Sequence, residues 1–125
     1  MRLLLDTNVL LWTLTGAPRI EPVRPLILSP ETEIFVSTVS LWEIATKASI
    51  GKLAADVAEI RVAIAASGFQ ELPVLGEHTE TLASLPLLHR DPFDRMIVAQ
   101  AITEPMRLLT GDSQLAAYSE LVQTV

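Results

Sequence analysis

Short apolar runs that end in a polar or acidic residue and then pass into a helical pattern recur along this chain, and that alternation leaves few folds open. Leu3 to Leu5 runs into Asp6, Thr7 and Asn8, with a helix expected from about Val9. Ile34, Phe35 and Val36 read as a second buried strand, Phe69 to Leu72 as a third closing at Pro73, and Arg107 to Thr110 as a fourth. Val122 to Val125 is a candidate edge strand. Between them, Val39, Trp42, Ala45 and Ala48 recur at three-residue steps from Ser37 until Gly51 stops the pattern. Asp56 to Ala66 places Val57, Ile60 and Ile64 on one stripe, and Pro92 to Thr103 holds Phe93, Ile97 and Ala101 at four-residue steps. Thr79 to Leu85 and Ser113 to Tyr118 are shorter helical stretches, and Pro18, Pro22, Pro25 and Pro30 restrict any helix between Arg19 and Leu28 to a short one or one starting on proline. Strands separated by helices pair in parallel and carry the helices on their faces. The expected fold class is therefore α/β with a central, mostly parallel sheet, in a single domain spanning residues 1–125 with no internal repeat or linker.

Composition narrows the function classes. Half of the residues are hydrophobic and mean hydropathy is +0.40, apolar for a chain of this size, which implies surface set aside for a partner or a second copy of itself. Cysteine is absent, so disulfides, thiolate metal sites and a cysteine nucleophile are excluded and a cytoplasmic chain is the default expectation. Asp6 and Asn8 interrupt the apolar opening MRLLLDTNVLLW, no small-residue cleavage site follows, and no apolar stretch is long enough for a bilayer; membrane association is not expected. A net charge of −6 argues against a protein that coats nucleic acid through many phosphate contacts, but it leaves a short nucleic-acid substrate open.

Four acids are placed where solvent decoration is a poor explanation: Asp6, Glu43, Asp94 and Asp112. In open parallel sheets ligands bind beyond the carboxyl ends of the strands, and Asp6 and Asp112 lie at or just after such ends. Each has a plainer reading. Asp6 and Asp112 are acceptable helix N-caps, although Thr7 and Asn8 are better placed than Asp6 to cap the first helix. Glu43 precedes Lys47 by four residues, the order for a surface ion pair, yet Leu41, Trp42, Ile44 and Ala45 make its helix apolar. Ser40 lies one turn before Glu43 on the same face, in position to bond its carboxylate or a bound water. In HRDPFDRMIVAQA, Asp91 before Pro92 is the N-cap, which leaves Asp94 in the first turn, either as a capping-box partner or aimed beyond the helix start. If one fold gathers the four, their mutual repulsion calls for a divalent cation, magnesium or manganese.

Arg90 and Arg95 flank this segment as phosphate contacts or as ordinary surface charge. Thr110 is a strand-end residue, Asn8 a turn residue or the orienter of a ligand. His78 and His89 read as surface or loop residues, which disfavours a ribonuclease built on a histidine pair, and Trp12 and Trp42 as core or interface.

Taken together, LLLDTNVLLW, VSLWEIATKASIGKL, HRDPFDRMIVAQA and LLTGDSQLAAY resemble the PIN domain family, and within it the VapC-type toxin ribonucleases, over nearly the whole chain. The resemblance implies a three-layer α/β/α sandwich. It also implies that Asp6, Glu43, Asp94 and Asp112 form an acidic quartet holding Mg²⁺ or Mn²⁺ for hydrolysis of RNA phosphodiesters, with Asp6 the central ligand and Thr7, Asn8 and Thr110 as accompanying polar positions. Asp91 stays outside that quartet, and Gly111 stands where relatives often carry a larger or basic residue. A cognate antitoxin and a homodimer are the partners the resemblance implies, the antitoxin docking in a groove offered by the apolar helices Val39 to Leu53 and Asp56 to Ala66. Two rivals remain. A magnesium-dependent phosphatase of haloacid-dehalogenase type also begins strand-then-Asp, but needs a second acid where this chain has Asn8. A non-catalytic α/β interaction module would use the acids only as caps and one ion pair.

Overall fold

The computed structural model describes residues 1–125. Five strands, β1 (Arg2–Leu5), β2 (Glu33–Ser37), β3 (Gln70–Leu72), β4 (Arg107–Thr110) and β5 (Val122–Thr124), form one sheet in the order β3-β2-β1-β4-β5. Every neighbouring pair is parallel, with Leu4 of β1 opposite Phe35 on one side and Leu108 on the other. The order reverses at β1: the chain first builds outward through β2 and β3, then returns to β1's other edge with β4. The carboxyl end of that central strand is where such a sheet opens a crevice.

Leu3, Leu4 and Leu5 are all fully buried because β1 is covered on both faces. Their side chains alternate, so Leu3 and Leu5 join one core with Val9, Leu10, Ile34, Val36, Ile44 and Ile64, while Leu4 joins a second with Ile97, Val98, Ala101, Leu108 and Leu115. The first core is roofed by α1 (Thr7–Thr15), the short α2 (Arg24–Leu28) and α4 (Val57–Ala66); the second by α6 (Pro92–Thr103), on which α5 (Gly76–Ser84) packs. Helix α3 (Thr38–Ser49) serves both, sending Leu41 and Ile44 to the first and Val39 to the second. This is the three-layer α/β/α arrangement expected from the resemblance. The proline-rich stretch forms a 3₁₀ turn, Pro18–Val23, before α2, which has Pro25 in its first turn. No helix is long and apolar enough to cross a membrane.

Helix α5 begins at Gly76, three residues before the expected start. The cause is His78, whose ring is fully buried rather than on the surface: Nδ1 accepts the backbone N–H of Leu75 (2.9 Å) and Nε2 lies 2.6 Å from Glu104 Oε2. That ring caps α5 and ties it to the end of α6.

Candidate metal centre

Asp6 sits at the tip of β1 and is 4% exposed. It is itself the N-cap of α1: Oδ1 accepts the backbone N–H of Val9 (2.8 Å), a role that sequence reasoning gave to Thr7 or Asn8. Thr7 is already helical and its hydroxyl is committed elsewhere, while Asn8 is exposed. The other Asp6 oxygen, Oδ2, accepts from the buried Thr110 hydroxyl at 2.5 Å. Burial pushes the Asp6 carboxyl above its ordinary value, opposed by bonds from Thr110, Val9 and Gly111 and reinforced by the charge of Glu43.

Glu43 is 5% exposed on α3. The Thr7 hydroxyl donates to its Oε1 (2.7 Å) and lies 3.0 Å from Ser40 Oγ; Thr7 has one proton to give, so Ser40 donates to Thr7. Ser40 thus acts on Glu43 through Thr7 and not directly. Oε2 takes Lys47 Nζ at 2.6 Å, so the expected ion pair exists, with its acid end buried and its lysine half exposed.

In α6 the cap is Asp91, whose Oδ1 accepts from Phe93 N (2.9 Å) and Asp94 N (3.2 Å). Asp94 is left facing the crevice, and its carboxyl is raised from 3.8 to about 7 by burial first, then by the charges of Asp91, Asp6 and Glu43, with His89 pulling the other way. That ordering has a geometric meaning: three acids from β1, α3 and the α6 cap are near enough to Asp94 for their charges to be felt. Asp112 caps the 3₁₀ turn Ser113–Tyr118 through Oδ1 to Gln114 N (2.9 Å), and its own N–H bonds Thr110 Oγ1 (3.0 Å). Thr110 therefore donates to Asp6 and accepts from Asp112, joining two of the acids through one hydroxyl.

His89 lies in the loop before α6, as its reading as a surface or loop residue expected, and that loop sets its ring against this cluster. Its side chain is 14% exposed, and Nε2 lies 2.8 Å from Asp112 Oδ2 and 4.0 Å from Asp94 Oδ2. One ligand atom each from His89, Asp94 and Asp112 fall within 4.8 Å of one another. The available signal was position: His89 comes two residues before the cap of the helix whose first turn carries Asp94. Of the two flanking arginines, Arg90 is exposed beside a cleft of about 470 Å³ lined by Leu87, Leu88, His89, Asp91 and Gln114. Arg95 turns inward and donates to the Leu85 carbonyl (3.3 Å).

Neither tryptophan is fully buried. Trp42 is 61% exposed and meets Phe93 edge to face, with centroids 4.7 Å apart. Trp12 lies over Gly111: a Cβ at that position would fall 2.5 Å from the indole Cη2, so a larger residue there requires the indole to move. The apolar hollow on the α4 side, about 270 Å³, lies against α1 (Leu11, Leu14) and α4 (Ile60, Ala63) rather than between α3 and α4.

Two properties suit the acidic group to a hard divalent cation. Its carboxylates offer oxygen donors, and the Asp6 and Asp94 carboxyls are raised above their ordinary value by burial first and then by neighbouring acid charge, both of which a bound cation would relieve. A second acid-and-histidine group, Glu77, His78 and Glu104, does not fit one, because both ring nitrogens of His78 are taken by Leu75 and Glu104.

The PIN domain family model matches residues 3–121. No curated protein sequence matches the chain. Among solved structures it is similar to VapBC2 from Rickettsia felis, determined bound to a DNA fragment from the promoter, with a TM-score of 0.75 and 17% identity over 99% of this chain and 98% of that one. VapBC-1 from nontypeable Haemophilus influenzae gives 0.68 and 17%, covering 100% and 97%. VapBC-5 from Mycobacterium tuberculosis, a member of the VapBC family of toxin-antitoxin systems, gives 0.59 and 24%, covering 99% and 97%. At these identities the likeness fixes the fold, and it does so over the whole length of each chain.

Proposed function

Because the chain belongs to the PIN domain family, we propose that it is a metal-dependent endoribonuclease, the toxin of a VapC-type toxin-antitoxin pair acting in the cytoplasm. The observation that carries this reading is the gathering of Asp94 with the buried Asp6 and Glu43, acids far apart in sequence: burial first, and then the charges of Asp91, Asp6 and Glu43, raise the Asp94 carboxyl to about 7. Asp6, Glu43, Asp94 and Asp112 would hold Mg²⁺ or Mn²⁺. When bound, such an ion supplies a Lewis acid that makes water a nucleophile near neutral pH and offsets charge developing on the phosphate.

The chain's own groups prepare that site. Thr110 and Thr7 aim one oxygen each of Asp6 and Glu43. Arg90, on the wall of the adjoining cleft, is the cation available to an incoming RNA phosphate; Arg95, turned toward Leu85, is better suited to holding the loop. The hollow against α1 and α4 suits an apolar helix of the antitoxin, and exposed Leu28, Ile50, Val62 and Trp42 offer surface for that partner or for a homodimer.

Total RNA incubated with purified protein and Mg²⁺, followed by mapping of the cut ends, tests the activity. Asp6→Asn should abolish the metal-dependent cuts while circular dichroism stays native, and persistence of the cuts would discard the assignment. Mn²⁺ titration separates the interaction-module alternative, which predicts no metal-dependent gain in thermal stability.

A further inference from the structure

The loop between α5 and α6 is short, exposed at Leu87 and Leu88, and nevertheless held at every turn by side chains. Arg95 donates to Leu85 O (3.3 Å) at its start. The Tyr118 phenol oxygen accepts two successive backbone N–H groups, Leu88 (3.1 Å) and His89 (2.9 Å). At its far end the Asp91 N–H donates to His89 Nδ1 (3.1 Å), and Asp91 then caps α6.

These contacts settle which proton His89 carries. With Nδ1 occupied as an acceptor, the neutral ring keeps its hydrogen on Nε2, and that hydrogen points at Asp112 Oδ2, 2.8 Å away. Asp112 and Tyr118 stand at the start and end of the same 3₁₀ turn, so the turn grips the loop twice: through the phenol on the backbone and through the carboxylate on the ring. Such fixing of ligand carboxylates by outer hydrogen bonds is a general requirement of precise metal sites.

We propose that His89 is a positioning residue of the carboxylate cluster: it donates from Nε2 to Asp112 and so presents that carboxylate beside Asp94, and Tyr118 holds the backbone that carries it. The inference rests on the nuclease reading above and adds two residues to it. His89 acts here by donating one hydrogen bond, and Tyr118 by accepting two.

Mn²⁺ binding to the full chain, measured by calorimetry, tests it alongside RNA cleavage and the ring nitrogen spectrum of the metal-free protein. His89→Ala should weaken Mn²⁺ binding by roughly tenfold or more. His89→Gln, which places an amide donor at a similar reach, should recover most of that loss, and Tyr118→Phe should weaken binding by a few fold through the loop. The wild-type spectrum should show His89 as the Nε2-protonated tautomer, a readout that needs neither metal nor a folded variant. Unchanged affinity in His89→Ala, or a tautomer protonated on Nδ1, overturns the inference while leaving the nuclease reading intact. Loss in His89→Gln as deep as in His89→Ala also overturns it, by making the ring a direct ligand. A wild-type chain that takes up no Mn²⁺ removes both readings together.

Discussion

Replacing Asp94 with asparagine should stabilise the metal-free protein, by an amount that grows with pH. In the folded chain the Asp94 carboxyl holds its proton up to about 7, against 3.8 for the ordinary group, because it is buried among Asp91, Asp6 and Glu43. The folded state therefore binds more protons than the unfolded state between those values, so the stability this group contributes is present in full below 3.8 and is lost as pH rises through 7. At 1.36 kcal/mol per unit, ionising Asp94 at pH 8 costs the native state about 4 kcal/mol at most. Asparagine has the same shape and no charge to confine. Urea denaturation in EDTA should give Asp94→Asn little advantage near pH 4 and an advantage of roughly 2–4 kcal/mol at pH 8. Saturating Mn²⁺ should reverse the order, because the wild type then gains binding energy that the variant lacks. A difference between the two proteins that stays flat from pH 4 to pH 8 would refute the crowding of charge on which the site is built.

Thr110→Val removes the one hydroxyl shared by Asp6 and Asp112; it should cost about 1–3 kcal/mol in denaturant unfolding and weaken Mn²⁺ binding measured by calorimetry. Gly111→Ala drives a Cβ into the Trp12 indole, and should cost about 1–3 kcal/mol, with Trp12→Leu in the same chain restoring most of it. Lys47→Met frees Glu43 Oε2 from its ammonium partner. Mn²⁺ affinity should then rise, since the metal no longer competes with the lysine, and a fall in affinity would show that the lysine helps to hold Glu43 in place.

The strands were legible because β1, β2 and β4 are short apolar runs buried on both faces, and each ends in residues that start the next helix. The same logic placed two of the candidate acids, since strand polarity alone sends Asp6 and Asp112 to one rim. Local hydrogen-bond roles such as the Asp91 cap and the Glu43–Lys47 pair were legible too, but long-range ones were not. Asp6 turned out to cap α1 because Thr7 is drawn away by Glu43 and Ser40, a contact between residues more than thirty positions apart that no local pattern encodes. His78 failed for a related reason, and His89, a loop residue as expected, was not foreseen against the acids. Each is engaged by a partner distant in sequence, Glu104 for the buried His78 and Asp112 for the partly buried His89. For Trp42, read as core or interface, only the core alternative is removed: the α3 stripe facing the cores is Val39, Leu41 and Ile44, and the indole falls outside it.

Asp6 has two oxygens with separate duties, one fastening the first turn of α1 and the other turned to Thr110. A mutation to alanine would loosen the helix and discharge the crevice at once, so a dead variant of that kind could not say which loss mattered. Asparagine divides the two, keeping an acceptor for Val9 while giving up the charge. Any replacement here that lacks a side-chain acceptor would, by contrast, have to find a new way to begin the helix behind it.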